Sequence, residues 1–300
     1  MTATPLALDF TGERFTPECV REIWYEHMHR YAFAQSFVRG RRVLDAACGE
    51  GYGSALLAAV AGEVVGVDIS SQAITHARAR YGANPKLEFR NGDATQLDEF
   101  SDASFDVIVS FETLEHVHAQ GQMLAGFKRL LKADGLLLIS SPDKRTYSDL
   151  TGYRNEHHVR ELYRDELESL LRSEFNGVRL LGQKLLFQSV LWDPDTAQGT
   201  ATASTLTEHG ELQSRLDYAP LYYLAICTHR AEQLPIDAGA VHLFGDSAES
   251  VYSHYNDEIR RHIAAGHRLM ALDQENAELR AQLEQARAQL VDIQNQGRNP

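Results

Sequence analysis

Between residue 41 and about residue 142, short apolar runs alternate with stretches whose apolar positions return every three or four residues. The runs are Arg42–Ala47, Glu63–Asp68, Leu87–Arg90, Phe105–Phe111 and Gly135–Ser141, and Gly, Asp or Ser closes most of them. Runs this short and continuous predict buried parallel strands, and the amphipathic stretches between them predict crossover helices. Upstream, apolar positions recur at helical spacing from Ile23 to Phe37 and predict a helix. Downstream, Arg164–Phe175 reads as an amphipathic helix, Val178–Phe187 and Leu221–Thr228 as strands, and the polar stretch Asp193–Arg215 as a surface loop.

The rhythm changes again near the C-terminus. With Leu269 at heptad position a, the a and d positions hold Leu269, Leu272, Asn276, Leu279, Leu283, Ala286, Leu290 and Ile293. A narrow apolar seam flanked by Glu, Gln and Arg predicts a coiled coil, and Asn276 at an a position favours a defined pairing. Residues 233–255 read as a linker ahead of a coil over 256–297.

Charge narrows the partners. The 300 residues carry 29 Lys and Arg against 42 Asp and Glu, a net charge of −13. So acidic a chain is not expected to bind nucleic acid or an anionic lipid surface through electrostatics. The cysteines, Cys19, Cys48 and Cys227, are odd in number and widely spaced, which excludes a disulfide framework and suits a reducing compartment. No basic-then-apolar leader opens the chain, and no stretch reaches the roughly 20 apolar residues of a membrane span. A soluble cytoplasmic protein is expected.

The strongest chemical signal is Val43-Leu44-Asp45-Ala46-Ala47-Cys48-Gly49-Glu50-Gly51-Tyr52-Gly53. A strand ends at Ala47, and a Gly-x-Gly-x-Gly turn enters a helix, so backbone can approach a ligand at the helix N-terminus. The next strand, Val64-Val65-Gly66-Val67-Asp68, sets an acid at its tip, where it can accept both hydroxyls of a ribose. Asn91-Gly92-Asp93-Ala94 closes a third strand. After the fourth comes Ser110-Phe111-Glu112-Thr113-Leu114-Glu115-His116-Val117. One helical turn there would put Glu112, Glu115 and His116 on one face, at the sheet edge where doubly wound folds bind ligands. His157 and His158 follow the fifth strand.

These motifs together resemble class I S-adenosylmethionine-dependent methyltransferases, closely over residues 40–145 and loosely over 146–230. The resemblance implies an α/β, Rossmann-like seven-stranded sheet over 41–232 whose last strand is antiparallel. It sets Gly49 and Gly51 beside the methionine moiety, Asp68 on the ribose, Ile69 under the adenine and Asp93 on its amino group. Asp45, Ala47, Ala94 and Phe111 complete the implied cofactor set; Asp45 is read as organising the glycine loop, and Cys48 as packing.

Glu-x-x-Glu-His with a later His is similar to the metal site of small-RNA 3′-end 2′-O-methyltransferases, and a related pattern occurs in ubiquinone-pathway O-methyltransferases. In the former a Glu follows the later His by three residues, as Glu161 follows His158. By this resemblance Glu112, Glu115, His116 and His158 would hold a divalent ion (Mg, Mn or Co) against substrate oxygens. Without a metal, His116 or His158 would act as general base, and Glu112 completes the catalytic set. Thr11-Gly12-Glu13-Arg14-Phe15 and Tyr25-Glu26-His27-Met28-His29-Arg30-Tyr31 further resemble bacterial surface-polysaccharide enzymes, O-antigen chain-terminating methyltransferases included, whose catalytic domain precedes a coiled coil. That likeness makes residues 1–40 a helical lid in which Arg30 or Arg14 pairs the cofactor carboxylate. It points to a sugar or glycan-terminus acceptor and to a homo-oligomer held by the coil. The alternatives are a small aromatic or quinone-like acceptor, and a non-catalytic cofactor-binding scaffold.

Overall fold

A computed structural model describes residues 22–193, 195, 201–235 and 241–296. Arg14, Cys19 and the Thr11–Phe15 run lie outside the described residues. The chain divides into one unit over residues 1–244 and another over residues 245–300.

In the first unit, α1 (Glu22–Val38) leads into β1 (Arg42–Ala46), α2 (Tyr52–Ala58), β2 (Glu63–Asp68), α3 (Ser71–Tyr81) and β3 (Leu87–Asn91). Then come β4 (Phe105–Ser110), α4 (Gln120–Leu130), β5 (Leu131–Pro142), α5 (Arg164–Glu174) and β6 (Gly177–Gln183). A two-stranded hairpin, β7 (Thr205–Leu206) with β8 (Leu212–Gln213), precedes β9 (Tyr222–Thr228). The seven long strands lie in the order β3-β2-β1-β4-β5-β9-β6, and only β9 runs against its neighbours. This is the Rossmann-like methyltransferase sheet with its antiparallel last strand.

Continuous apolar runs are required because helices cover both faces of the sheet. Successive strand residues point to opposite sides. Leu44, Ala46, Val65, Val67, Ile108 and Leu137 pack with Met123 and Phe127 of α4 and Leu171 of α5. Val43, Val64, Val107, Val109 and Leu138 pack with Ala34 and Val38 of α1 and Leu57 of α2.

α1 passes so close to the glycine loop that a Cβ on Gly53 would sit 2.0 Å from Cζ of Tyr31. Gly53→Ala must therefore displace the Tyr31 ring. It should destabilise the unit by about 1–3 kcal/mol, the usual cost of overpacking, and urea denaturation measures it.

Two expectations need correction. β6 ends at Gln183, not Phe187, because its pairing with β9 stops where Gln183 meets Tyr222. The apolar residues beyond, Phe187, Val190, Leu191 and Trp192, are exposed and outside any strand. The loop expected over Asp193–Arg215 contains the β7–β8 hairpin, turned by Gly210 at φ +80°.

The second unit holds α6 (Ser250–Gln296), which begins inside the stretch read as linker. Asp246 receives the backbone N–H of Ser250 at 3.0 Å. Leu269, Leu272, Leu279, Leu283 and Leu290 are all exposed along it. The side chain of Ile293 lies outside the described residues. Among the described residues no helix is long and apolar enough to cross a membrane.

Candidate active site

The strand order reverses between β1 and β4, so their carboxyl ends open a crevice. Both exits are bent: Ala47 has φ +61° and Glu112 has φ +51°, values non-glycine residues adopt mainly where surroundings impose them. Between them runs the glycine loop, with Gly49 at φ +56° and Gly51 at φ +89°. Gly51 has no room for a side chain, since a Cβ would stand 2.7 Å from the Phe89 ring.

Asp45 is fully buried beneath this loop. It accepts hydrogen bonds from Ser54 Oγ at 2.6 Å and Tyr31 Oη at 3.2 Å, which ties α1 and α2 to β1. Burial pushes its carboxyl up to about 6 against those two bonds. Cys48 packs, as expected: it is buried and unpaired, and burial raises its thiol far above the reactive range.

Asp68 stands at the tip of β2. Its Oδ2 accepts the Gly49 N–H at 2.8 Å and its Oδ1 the Ser70 N–H at 2.9 Å. Each oxygen keeps a second lone pair, enough for two ribose hydroxyls. Ile69 beside it is 73% exposed, a free apolar platform. Asp93 follows β3, its Oδ1 held by Thr95, with Ala94 buried next to it.

Arg30 is 1% exposed on α1. Its Nε donates to Gln183 Oε1 at 2.9 Å, its guanidinium lies 4.7 Å above the Tyr222 ring, and Nη1 is 3.3 Å from Glu112 Oε1. Neither Nη has a hydrogen-bond partner among the described residues. A buried guanidinium with donors to spare fits a ligand carboxylate. Nearby, Glu26 is also buried, and burial pushes its carboxyl up to about 7 despite Arg30. The aromatic ring of Phe111 packs on Tyr31, 5.1 Å between centroids. Glycines, Asp68, Ile69 and the unsatisfied Arg30 together fit S-adenosylmethionine.

Glu112, Glu115 and His116 do not share a helical face. The turn after β4 is a short 3-10 segment, Leu114–His116, and the left-handed Glu112 lies outside it. Glu112 instead accepts Ser140 Oγ at 2.6 Å and faces Arg30. Glu115 is buried, and neither of its carboxylate oxygens has a hydrogen-bond partner among the described residues. Burial, with the charge of Glu112 adding to it, holds this carboxyl well above the usual range. Its backbone oxygen accepts Val159 N–H and Arg160 N–H, which docks the loop carrying His158.

Ligand atoms of Glu115, His116 and His158 lie within 4.8 Å of one another. Glu112, the fourth residue expected, is not among them. His116 Nδ1 is 3.1 Å from the carbonyl of His157, and His158 Nδ1 is 2.5 Å from Glu161 Oε1. Where Nδ1 is the donor in each contact, Nε2 is the nitrogen of each ring able to accept or to ligate. Asn155 Nδ2 lies 3.0 Å from Nε2 of His158. A buried carboxylate without a hydrogen bond among the described residues, clustered with two imidazoles, fits a divalent cation. Gln183, Tyr222, Ser148 and Asn155 were not legible as site residues. Strand-end or loop positions bring them in, and no motif marks them.

Residues 44–139 match the family model described as a methyltransferase domain. A probable S-adenosylmethionine-dependent methyltransferase of Mycobacterium tuberculosis is 39% identical over 173 residues, covering 57% of this chain and 62% of that protein. A ubiquinone biosynthesis O-methyltransferase of Paracidovorax citrulli is 32% identical over 124 residues, 41% of this chain and 52% of that one. The chain thus spans about half to two thirds of the length of these curated relatives. The solved YcgJ protein of Bacillus subtilis shares the fold, with a TM-score of 0.50 at 20% identity over 68% of this chain and 99% of that chain. Over residues 44–139 the chain is thus similar to methyltransferase domains, carried on a sheet of the Rossmann-like methyltransferase fold.

Proposed function

We propose that the chain is an S-adenosylmethionine-dependent O-methyltransferase assisted by a divalent cation, acting on a hydroxyl of a sugar or glycan terminus. The observation that carries the metal-assisted reading is Glu115, buried with neither oxygen hydrogen-bonded among the described residues, its ligand atoms clustered with those of His116 and His158. Asp68 and Arg30 hold the ribose and the carboxylate of the cofactor, Gly49 and Gly51 let backbone approach its methionine end, and Ile69 and Asp93 receive the adenine. Ala47 and Phe111, at the mouths of β1 and β4, and Ala94 after β3 wall the same crevice. Glu112 and Gln183 fix the Arg30 guanidinium.

Bound there, the cofactor supplies a sulfonium methyl, and the cation supplies Lewis acidity toward an acceptor hydroxyl. Glu115, His116 and His158 would hold that cation, leaving positions for adjacent hydroxyls. On the acceptor side Tyr147 and Tyr153 meet edge to face, 5.8 Å between centroids, and the half-exposed Tyr153 offers an aromatic surface suited to a pyranose or an aromatic ring. A second reading, a small aromatic or quinone-like acceptor, is favoured by the likeness to the ubiquinone biosynthesis enzyme. A methyl-transfer screen with labelled cofactor decides between them. Transfer to glycan ends supports the first reading, transfer to catechols or hydroxyquinones alone supports the second, and tight cofactor binding without transfer to any hydroxyl supports the scaffold.

The exposed leucine row of α6 supports self-association, since a helix carrying it gains by burying it against a second copy. Light scattering should find an oligomer that Leu279→Lys with Leu283→Lys turns into monomer; an intact chain already running at 33.6 kDa removes the paired coil. The buried, unpaired thiols of Cys48 and Cys227 support a cytoplasmic setting.

A further inference from the structure

We propose that Glu161, braced by Ser148, is a positioning residue that fixes which nitrogen of His158 faces the Glu115 pocket and thereby sets the affinity of that cluster for a divalent cation. The inference rests on the cation reading above; it gives a role to Glu161 and adds Ser148, which that pattern does not contain.

The chain of contacts runs outward from the pocket. His158 and Glu161 side chains are 7% and 9% exposed, so water competes little for their contact. Glu161 Oε1 lies 2.5 Å from His158 Nδ1, and Ser148 Oγ donates to Glu161 Oε2 at 2.5 Å. A carboxylate only accepts, so the imidazole proton resides on Nδ1 and the Nε2 lone pair is presented to the pocket. The Tyr147 ring stacks on the imidazole, 5.4 Å between centroids and 28° between planes, and limits its rotation. Ser148 comes from the π-helical turn Arg145–Asp149 after β5, Glu161 from the loop before α5. The brace thus joins two segments that meet only in the folded chain. Asn155 Nδ2 donates to Nε2 at 3.0 Å, and a cation binding there replaces that one neutral contact.

Carboxylates that hold a ligand imidazole by its other N–H orient the ring and raise its basicity, and losing one typically costs about 10–100-fold in metal affinity. Glu161→Ala should therefore weaken Co²⁺ binding by about 10–100-fold in calorimetry and alter the visible spectrum of bound Co²⁺. Glu161→Gln, whose carbonyl can still accept the Nδ1 proton, should recover part of the loss. Ser148→Ala should weaken binding by a smaller factor.

The metal-free protein gives an independent readout. Long-range ¹H–¹⁵N correlation spectra should show His158 protonated on Nδ1 in the wild type and mixed between nitrogens in Glu161→Ala. Wild-type tautomer and wild-type Co²⁺ affinity in a folded Glu161→Ala protein would overturn the proposal. Failure of the wild type to bind Co²⁺ would instead remove the cation reading, and with it the role in affinity, while the tautomer spectra would still decide whether Glu161 positions His158.

Discussion

Stripping divalent cations with a strong chelator should bring methyl transfer to background, and adding back Mn²⁺, Mg²⁺ or Co²⁺ should restore it. Polarisation of a hydroxyl by a cation contributes several kcal/mol to such a step, so the drop should be about 100-fold or more. Glu115→Ala and His116→Ala should lose the same activity and gain nothing from added metal. Cofactor affinity should survive in both, because the glycine loop and Asp68 lie on β1 and β2 while these residues follow β4. A cation there would also satisfy the buried Glu115 carboxyl, which has no hydrogen-bond partner among the described residues. Full turnover in chelator, with no metal by elemental analysis, would sink the cation reading. His158 would then be the best-placed general base, its ring already oriented by Glu161.

Asp68→Ala should weaken cofactor binding at least tenfold by calorimetry. Hydrogen bonds to a charged acceptor are worth about 1.5–3 kcal/mol each, and about 1.4 kcal/mol corresponds to a factor of ten. Two ribose hydroxyls would lose their acceptor at once. The substitution also frees the Gly49 N–H, which Asp68 Oδ2 receives at 2.8 Å, so the loop itself loosens. Asp68→Asn keeps an acceptor oxygen and should lie between wild type and Asp68→Ala. Unchanged affinity in Asp68→Ala would mean that the ribose is held elsewhere.

The sheet was legible because the inner parallel strands β1, β2, β4 and β5 are buried on both faces and read as mostly apolar runs; edge strand β3, with Glu88 and Asn91 exposed, shows the pattern least. The antiparallel β9 and the order of the strands came from the family likeness, since periodicity carries no information about which strands are neighbours. An apolar run reaching Phe187 predicts strand to that point, but apolarity continues past Gln183, the last residue that pairs with β9. Around Glu112 the spacing i, i+3, i+4 suggested one helical turn. A left-handed residue and a 3-10 turn break that geometry, and neither leaves a mark in the residue types. Arg30 was picked out for its place in the N-terminal motif. Its counterparts Gln183 and Tyr222 are ordinary strand-end residues that only the pairing of β6 with β9 brings beneath it.

The order of the parts along the chain has a consequence for how such an enzyme can change its substrate. Apart from Arg30, the residues assigned to the cofactor all precede β5, within the segment matched by the methyltransferase domain model. The chain that leaves β5 at Pro142 supplies Tyr147, Tyr153, His158 and Glu161, and a second excursion from Gln183 to Leu221 starts and ends at that same edge of the sheet. On the proposed reading, methyl donor and methyl acceptor are read largely by successive stretches of one chain. The loops of the later stretch can lengthen, shorten or be exchanged provided Gln183 and Tyr222, which hold Arg30, are kept. Beyond these two, only the register of β5, β9 and β6 has to be kept, and that register is set by backbone pairing that is indifferent to what the loops recognise.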